Sequence, residues 1–401
     1  MKKICAFIVA IIASIAIIAI FYFGIGGNFE QNLVQPEPVT EGRLVSKNSV
    51  EYAGWLKTSG SQLQNEKGEP MQLRGISSHG IAWFSDLITY ENLENLRKEW
   101  NINVFRIAMY TDPSASGYIS NPEVNKEKVN QIIEMAKDLD MYVIVDWHIL
   151  NDNNPQIYET QAREFFNELS KEYADTPNVI YEICNEPNGE NVKWNENVKP
   201  YAEDIVATIR ANSPKSLIIV GTPDWCKDVD VAADNPLKFE NIVYSCHFYA
   251  GSHGKLLQDN IEHCIQAGIP VFVSECGITD ASGAGNIYDE DFKLWIDYLN
   301  EKNISWIYWS LSNKDESSSI LTPQYYVVTK NTGTTNENTV ENVNNNLSEQ
   351  NENNVENNIS TSEELNNKVP VLYMDDYLTE SGKILKDIFL SYGEDEKVVI
   401  K

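Results

Sequence analysis

Two glutamates stand at the ends of short apolar runs: Glu186 in Asn185-Glu186-Pro187, after Val179-Cys184, and Glu275, directly after Val271-Ser274. Paired carboxyls can divide acid, base and nucleophile roles when their surroundings push their pKa values apart. At the ends of other runs stand Arg106, His148 in Asp146-Trp147-His148, His247, Tyr249 and Trp309. Singly, each has a plain structural explanation: an ion-pair partner, a satisfied core histidine, a core aromatic, a buried salt-bridge acid. Jointly, run-end positions that carry carboxyl, guanidinium, imidazole, amide, phenol and indole groups have the composition of a catalytic site.

A site of this kind needs a scaffold that gathers run ends. From Gly54 onward, apolar runs recur at intervals of roughly 30 to 40 residues with helix-period stretches between them. They are Met71-Ile76, Ile102-Ala108, Tyr142-Val145, Val179-Cys184, Leu217-Gly221, Ile242-Cys246, Val271-Ser274 and Ser305-Tyr308. Between the second and third, Val129, Ile132, Ile133, Ala136 and Leu139 repeat at spacings of three and four, which marks one face of a helix. Eight such runs predict an α/β fold, a (β/α)8 TIM barrel, in which active sites gather at the C-terminal ends of the strands. No G-x-G-x-x-G follows the first run, so a dinucleotide fold is disfavoured. The absence of G-x-S-x-G and of a phosphate-binding loop disfavours a serine hydrolase and an NTPase.

The chain has 401 residues and a net charge of -28, from 59 acidic and 31 basic side chains. That balance argues against nucleic acid as a partner, which calls for clustered Lys and Arg. A neutral polymer stays open, and the 9 Trp and 20 Tyr supply flat faces that suit sugar rings. Met1-Lys2-Lys3 and the apolar run from Ile4 to Phe23 read as an export segment over 1–27, long enough to remain in the membrane if uncleaved. With the lysines inside, the rest lies outside the cell, secreted or surface-anchored. Residues 28–50, with Gln35-Pro36-Glu37-Pro38, read as a spacer, and 51–401 as a single catalytic domain.

Within that domain, residues 331–367 hold fourteen Asn and seven Glu and are expected to be a disordered insertion in the last βα loop. The segment 378–390, with Ile384, Leu385, Ile388 and Phe389 in one stripe, is expected to be the closing helix. Apart from Cys5 there are five cysteines and no C-x-x-C, so neither a disulfide framework nor a zinc site is indicated. Cys184, Cys246 and Cys276 read as small buried hydrophobes. The pairing of Cys226 and Cys264 stays open.

The run-end residues resemble glycoside hydrolase family five, of the retaining clan, from Gly54 to about Leu321 and again at the final helix. The resemblance implies that Glu186 is the acid/base and Glu275 the nucleophile, supported by Arg106, His148, Asn185, His247 and Tyr249. Ser77-Ser78-His79-Gly80, Trp83, Gly221 to Trp225 and Trp309 to Glu316 look like the bacterial endo-β-1,4-glucanase branch. This implies that His79, Trp83, Tyr110, Trp225, Trp309, Lys314 and Glu316 bind the sugar chain, with Trp309 under the reacting ring and Trp225 on the leaving-group side. Cys276 departs from the family, where Trp often follows the nucleophile.

A retaining mechanism needs two carboxyls about 5 to 5.5 Å apart, one ionised and one protonated. Arg106 is expected to hold Glu275 ionised, and Asn185 to bond the sugar 2-hydroxyl. No metal or organic cofactor is implied, and the protein is expected to act as a monomer on β-glucan. Two alternatives remain: a related glycanase acting on mannan, xyloglucan or mixed-linkage glucan, and a glucan-binding protein without catalysis.

Overall fold

In the computed structural model, residues 43–325 and 374–400 are described. Eight parallel strands close on themselves: β1 (Arg74–Ser78), β2 (Val104–Tyr110), β3 (Tyr142–His148), β4 (Val179–Glu182), β5 (Ile218–Val220), β6 (Ile242–Tyr249), β7 (Val271–Gly277) and β8 (Trp306–Leu311). The eight predicted runs are these strands, and the expected (β/α)8 barrel is the fold.

Each strand is buried on both faces, which is why the runs read as continuous apolar stretches without polar alternation. Successive side chains still alternate. Phe105, Ile107, Val143, Val145, Tyr244, Cys246, Trp306 and Tyr308 point outward to the helices. Val104, Ile144, Ile180, Val243, Phe272 and Ile307 fill the barrel interior. Two residues further along the same inward rows stand Arg106, Asp146, Glu182, Ser245, Ser274 and Trp309, so the apolar floor of the barrel becomes a polar layer within one step.

The bottom is plugged by the segment before β1. A short antiparallel hairpin pairs Lys57–Ser59 with Gln62–Gln64, and Ala53, Leu56, Leu63 and Met71 join the interior cluster. Tyr142 donates to the Gly54 carbonyl at 2.7 Å. Folded structure begins earlier than the spacer reading of 28–50 allows. Arg43–Ser46 pairs with Lys397–Ile400, and Ser49 caps a turn of helix at Val50–Ala53 by accepting from the Tyr52 amide. Backbone pairing and a side-chain cap, neither of which needs apolar residues, order this polar stretch.

Crossover helices α1 (Tyr90–Lys98), α2 (Pro122–Asp138), α3 (Glu159–Glu172), α4 (Lys199–Asn212), α5 (Val229–Asp234), α6 (Lys255–Gln266) and α7 (Asp289–Glu301) separate the strands. The last, α8 (Glu380–Ser391), packs onto the barrel as the eighth. Its N-cap Thr379 accepts from the Gly382 amide and donates to the Ser319 carbonyl, and Phe389 stacks on Trp306 at 5.1 Å. Leu321 and Leu378 form an antiparallel β-bridge, which joins the segment after β8 to the segment before α8. The insertion expected at 331–367 and the apolar run of 4–23 lie outside the described residues. Among the described residues, no helix is long and apolar enough to cross a membrane.

Candidate active site

The C-terminal end of the barrel holds a cleft of about 770 Å³ lined by His79, Trp83, Tyr110, His148, Glu186, Trp225, His247, Tyr249, Glu275, Trp309, Lys314 and Glu316. Arg106 and Asn185, completely buried, lie directly beneath. Every residue singled out from the sequence is therefore in or under one cavity.

Glu275 reaches the cleft through an irregularity in β7. Register shifts between Phe272 and Glu275 against β6, and between Val273 and Cys276 against β8. Val273 and Cys276 both pack in the outer layer. The two residues between them, Ser274 and Glu275, consequently both face inward, which is what a bulge does to a strand. Cys276 thus belongs to the barrel–helix layer, so its departure from the family does not shape the cleft. All five cysteines from Cys184 to Cys276 are buried and free, which also answers the pairing of Cys226 and Cys264.

Glu275 accepts from Tyr249 Oη at 2.8 Å and from Arg106 at 3.2 Å. Arg106 is shared more widely than expected: it also meets Glu182 at 2.7 Å and Asp146 at 3.0 Å. One guanidinium facing three buried carboxyls cannot offset burial for all of them. Burial raises the Glu275 pKa, the neighbouring Glu186 charge adds to this, and His247 and Arg106 oppose it. Arg106, expected to hold Glu275 ionised, is thus divided among three carboxyls, and Tyr249 is the second donor to Glu275. Burial pushes Glu186 up to about 8, and Asp146 up to about 7. Of the two cleft glutamates, Glu275 has two donors and Glu186 has one partner, His247 Nδ1 at 2.9 Å. That difference favours protonation of Glu186 over Glu275.

Burial favours the neutral form of the cleft histidines His79, His148 and His247. Burial drives His148 far below its ordinary pKa, and brings His247 down to about 4 and His79 to about 3. His148 Nδ1 lies 2.6 Å from Asp146, so this nitrogen carries the hydrogen and Nε2 faces Asn185. The Asn185 amide accepts from Arg106 at 2.7 Å and donates one hydrogen to the Ile149 carbonyl at 3.1 Å. Its second hydrogen has only a 3.4 Å contact with His148 Nε2, so it is the one available to a ligand in the cleft.

The loop after β5 leans on the backbone of Cys184, Asn185 and Pro187, the segment that carries Glu186. A Cβ on Gly221 would sit 2.3 Å from the Cys184 carbonyl oxygen and 2.7 Å from that of Asn185. The next turn places Asp224, Trp225 and Cys226 at φ of 55°, 56° and 59°. Three consecutive left-handed non-glycine residues cost roughly 1–2 kcal/mol each. Trp225 N–H donates to the Pro187 carbonyl at 3.2 Å and Cys226 Sγ to that of Asn185 at 2.9 Å, and these contacts hold the turn. Its product is a Trp225 ring 43% exposed at the cleft edge. Trp83, 45% exposed, stands edge-on to Tyr110 at 4.9 Å. Trp309 lies parallel to His148 at 5.3 Å, and Lys314 pairs with Glu316 at 2.5 Å.

Sequence reasoning missed His253 and Lys227, which line the cleft from loops, and the buried layer of Glu182, Ser245 and Ser274. His253 stands four residues after Tyr249 and accepts from its amide at 2.9 Å. Among the described residues, Glu186, His247 and Glu275 form a cluster whose donor atoms all lie within 4.8 Å of one another. A cation there would have to displace the Glu186–His247 hydrogen bond. The same measurement gives the spacing of the two carboxyls: an oxygen of Glu186 lies within 4.8 Å of one of Glu275.

A family profile described as Cellulase (glycosyl hydrolase family 5) matches residues 64–315. The chain is 50% identical over 273 residues to an endoglucanase of Clostridium saccharobutylicum, covering 68% of this chain and 60% of that protein. It is 51% identical over 256 residues to endoglucanase A of Evansella cellulosilytica, covering 64% and 52% respectively. It superposes on the catalytic domain of the Thermobifida fusca endoglucanase Cel5A with a TM-score of 0.68 at 32% identity, over 85% of this chain and 98% of that one. The chain spans about half to three fifths of the length of the curated relatives it matches. With the profile covering well over half of its residues and the barrel matching in three dimensions, this chain belongs to glycoside hydrolase family 5, the cellulase family.

Proposed function

We propose that the protein is an endo-acting β-1,4-glucanase that cleaves cellulose or a related β-glucan by double displacement, with retention at the anomeric carbon. The observation that carries this reading is the approach of Glu186 and Glu275 to within 4.8 Å, because an inverting site needs about 6.5–9.5 Å to seat the attacking water. Glu186, protonated in its buried setting, gives its proton to the glycosidic oxygen while Glu275 attacks the anomeric carbon. Tyr249 and Arg106 give up part of their hold on Glu275 as its charge passes to the sugar. Water then enters, Glu186 takes its proton, and the glycosyl–Glu275 ester is released with the original configuration.

Asn185 turns its free amide hydrogen to the 2-hydroxyl, and Trp309 lies under the reacting ring. His79, Trp83, Tyr110, Lys314 and Glu316 hold the sugars on one side of the scissile bond, and Trp225 holds the leaving chain. A polymer of this kind meets the enzyme outside the cell, secreted or held at the surface by the N-terminal apolar run, where it acts as a monomer.

The test is turnover of carboxymethyl cellulose, mannan, xyloglucan and mixed-linkage glucan, with proton NMR of the first product from a cello-oligosaccharide. Fastest cleavage of the β-1,4-glucans and initial appearance of the β anomer support the reading. Initial appearance of the α anomer, or binding without turnover, would reject it.

A further inference from the structure

His247 touches Glu186 through Nδ1 at 2.9 Å and Ser274 Oγ through Nε2 at 3.0 Å. The single hydroxyl hydrogen of Ser274 is donated to Glu182 Oε1 at 2.6 Å. The other oxygen of Glu182 accepts from Arg106 Nε at 2.7 Å, the shortest of that guanidinium's three carboxylate contacts. Burial pushes Glu182 toward its neutral form, but each of its oxygens faces a donor, Arg106 Nε on one side and the Ser274 hydroxyl on the other, and this geometry favours the ionised carboxylate. An ionised Glu182 can only accept.

The direction of the remaining bonds then follows. With its hydrogen given away, Ser274 Oγ can only accept from His247, and Ser245, 2.6 Å from it on the next strand, is left to donate. The hydrogen of the neutral imidazole therefore sits on Nε2, and Nδ1 is a lone pair. A lone pair 2.9 Å from a carboxyl is satisfied when that carboxyl carries the proton.

We propose that Glu182 and Ser274 are positioning residues that fix the tautomer of His247 and so keep the acidic proton on Glu186 between turnovers. This rests on the acid/base reading of Glu186. The other titratable groups facing Glu186 are Glu275 and Tyr249, Arg106 and Tyr110, Asp146, and Cys226 with Lys227 from the loop after β5. All of these are unchanged in the variants below, whereas Glu182→Gln also removes a charge that itself raises the Glu186 pKa, so the Ser274 pair is the decisive comparison.

The experiment compares the full chain with Ser274→Ala, Ser274→Thr and Glu182→Gln. It reads the pH dependence of kcat/KM on a cello-oligosaccharide and on 2,4-dinitrophenyl cellobioside, whose leaving group needs no proton. Ser274→Ala should move the alkaline limb on the oligosaccharide down by roughly one pH unit, the scale of one lost hydrogen bond, with little change on the aryl substrate. Ser274→Thr, which keeps the hydroxyl, should restore it. In Glu182→Gln the amide donates to Ser274 Oγ, Ser274 donates to Nε2, and Nδ1–H then favours ionised Glu186. The alkaline limb should fall further than in Ser274→Ala.

An alkaline limb that stays in place in Ser274→Ala, or equal losses on the two substrates, overturns the proposal. Should Glu182→Gln not fold, the Ser274 pair decides alone. Absence of hydrolysis by the unmodified protein on both substrates would instead reject the underlying reading of Glu186.

Discussion

Tyr249 donates its phenol hydrogen to Glu275 Oε1 at 2.8 Å, and both side chains are buried. Burial raises the Tyr249 pKa well above its ordinary value, so the phenol stays a donor. A hydrogen bond to a charged partner contributes about 1.5–3 kcal/mol, and here it favours the ionised carboxyl. Tyr249→Phe should therefore raise the pKa of Glu275. The acid limb of kcat/KM should move to higher pH by about one unit or more, with a roughly 10- to 100-fold loss at the optimum. A pH–rate profile on an aryl cellobioside measures this, and an unmoved acid limb would show that Tyr249 does not hold the charge.

The two glutamates should separate under chemical rescue. In Glu186→Ala the proposed nucleophile, Glu275, survives, so an activated aryl glycoside should still react while natural glucan loses about 10²- to 10⁴-fold. Added azide should accelerate turnover and yield the β-glycosyl azide. In Glu275→Ala both substrates should fail, and azide should give the α product. Product NMR with the configurations exchanged would mean that the roles are reversed.

Glu186 also sets a pH dependence of stability. Its folded pKa, about 8, lies above the ordinary 4.5 of the unfolded chain. The folded state keeps a proton that the unfolded state releases, so this contribution is complete below pH 4.5 and is lost as pH rises through 8. Glu186→Gln stays neutral throughout and still donates to His247. Its melting temperature should exceed that of the unmodified protein by a margin that grows from pH 5 to pH 8. Asp146 is present in both proteins, and its charge adds to the upward shift of Glu186 rather than opposing it. Differential scanning fluorimetry across this range checks the trend, and a margin that shrinks with pH contradicts the shift.

Gly221 permits the close approach of the loop after β5 to Cys184 and Asn185, where an added Cβ would meet carbonyl oxygens at 2.3 and 2.7 Å. Gly221→Ala must move one backbone or the other, at a cost of about 1–3 kcal/mol. The melting temperature should fall by several degrees. Because the displaced segment carries Asn185 and Glu186, kcat should fall about 100-fold, the usual penalty for a displacement near 1 Å. A stable variant with full kcat would contradict this.

Trp225 is held at the cleft edge by a left-handed turn and is 43% exposed. Trp225→Ala should lower kcat/KM on long cello-oligosaccharides about tenfold, the scale of one aromatic stacking contact. Its melting temperature should stay the same or rise, since the turn needs no large side chain. Equal loss on a substrate too short to reach Trp225 would exclude a stacking role.

The strands, the helix faces and both glutamates were legible in the sequence because their signals are local. Continuous apolar runs and three-to-four spacing are set by the chain's own periodicity, and a polar residue at the end of a buried run stands out from its neighbours. The closing helix was legible from the stripe of Ile384, Leu385, Ile388 and Phe389. A run buried on both faces, however, does not reveal which of its residues point inward. Asp146, Glu182 and Ser274 were therefore indistinguishable from other polar members of their strands until the barrel closed.

Closure also brings Arg106 within reach of Glu275, 169 residues away, and at the same time presents it with Asp146 and Glu182. The charge state of Glu275 depends on how that one cation is divided, which no segment of sequence contains. The β7 bulge that turns both Ser274 and Glu275 inward, and the left-handed turn that projects Trp225, likewise arise from pairing and packing against distant segments. The sequence by itself determined which chemical groups stand at the strand ends. The tertiary structure alone decided which of them share a proton, because burial and neighbouring charge act through space.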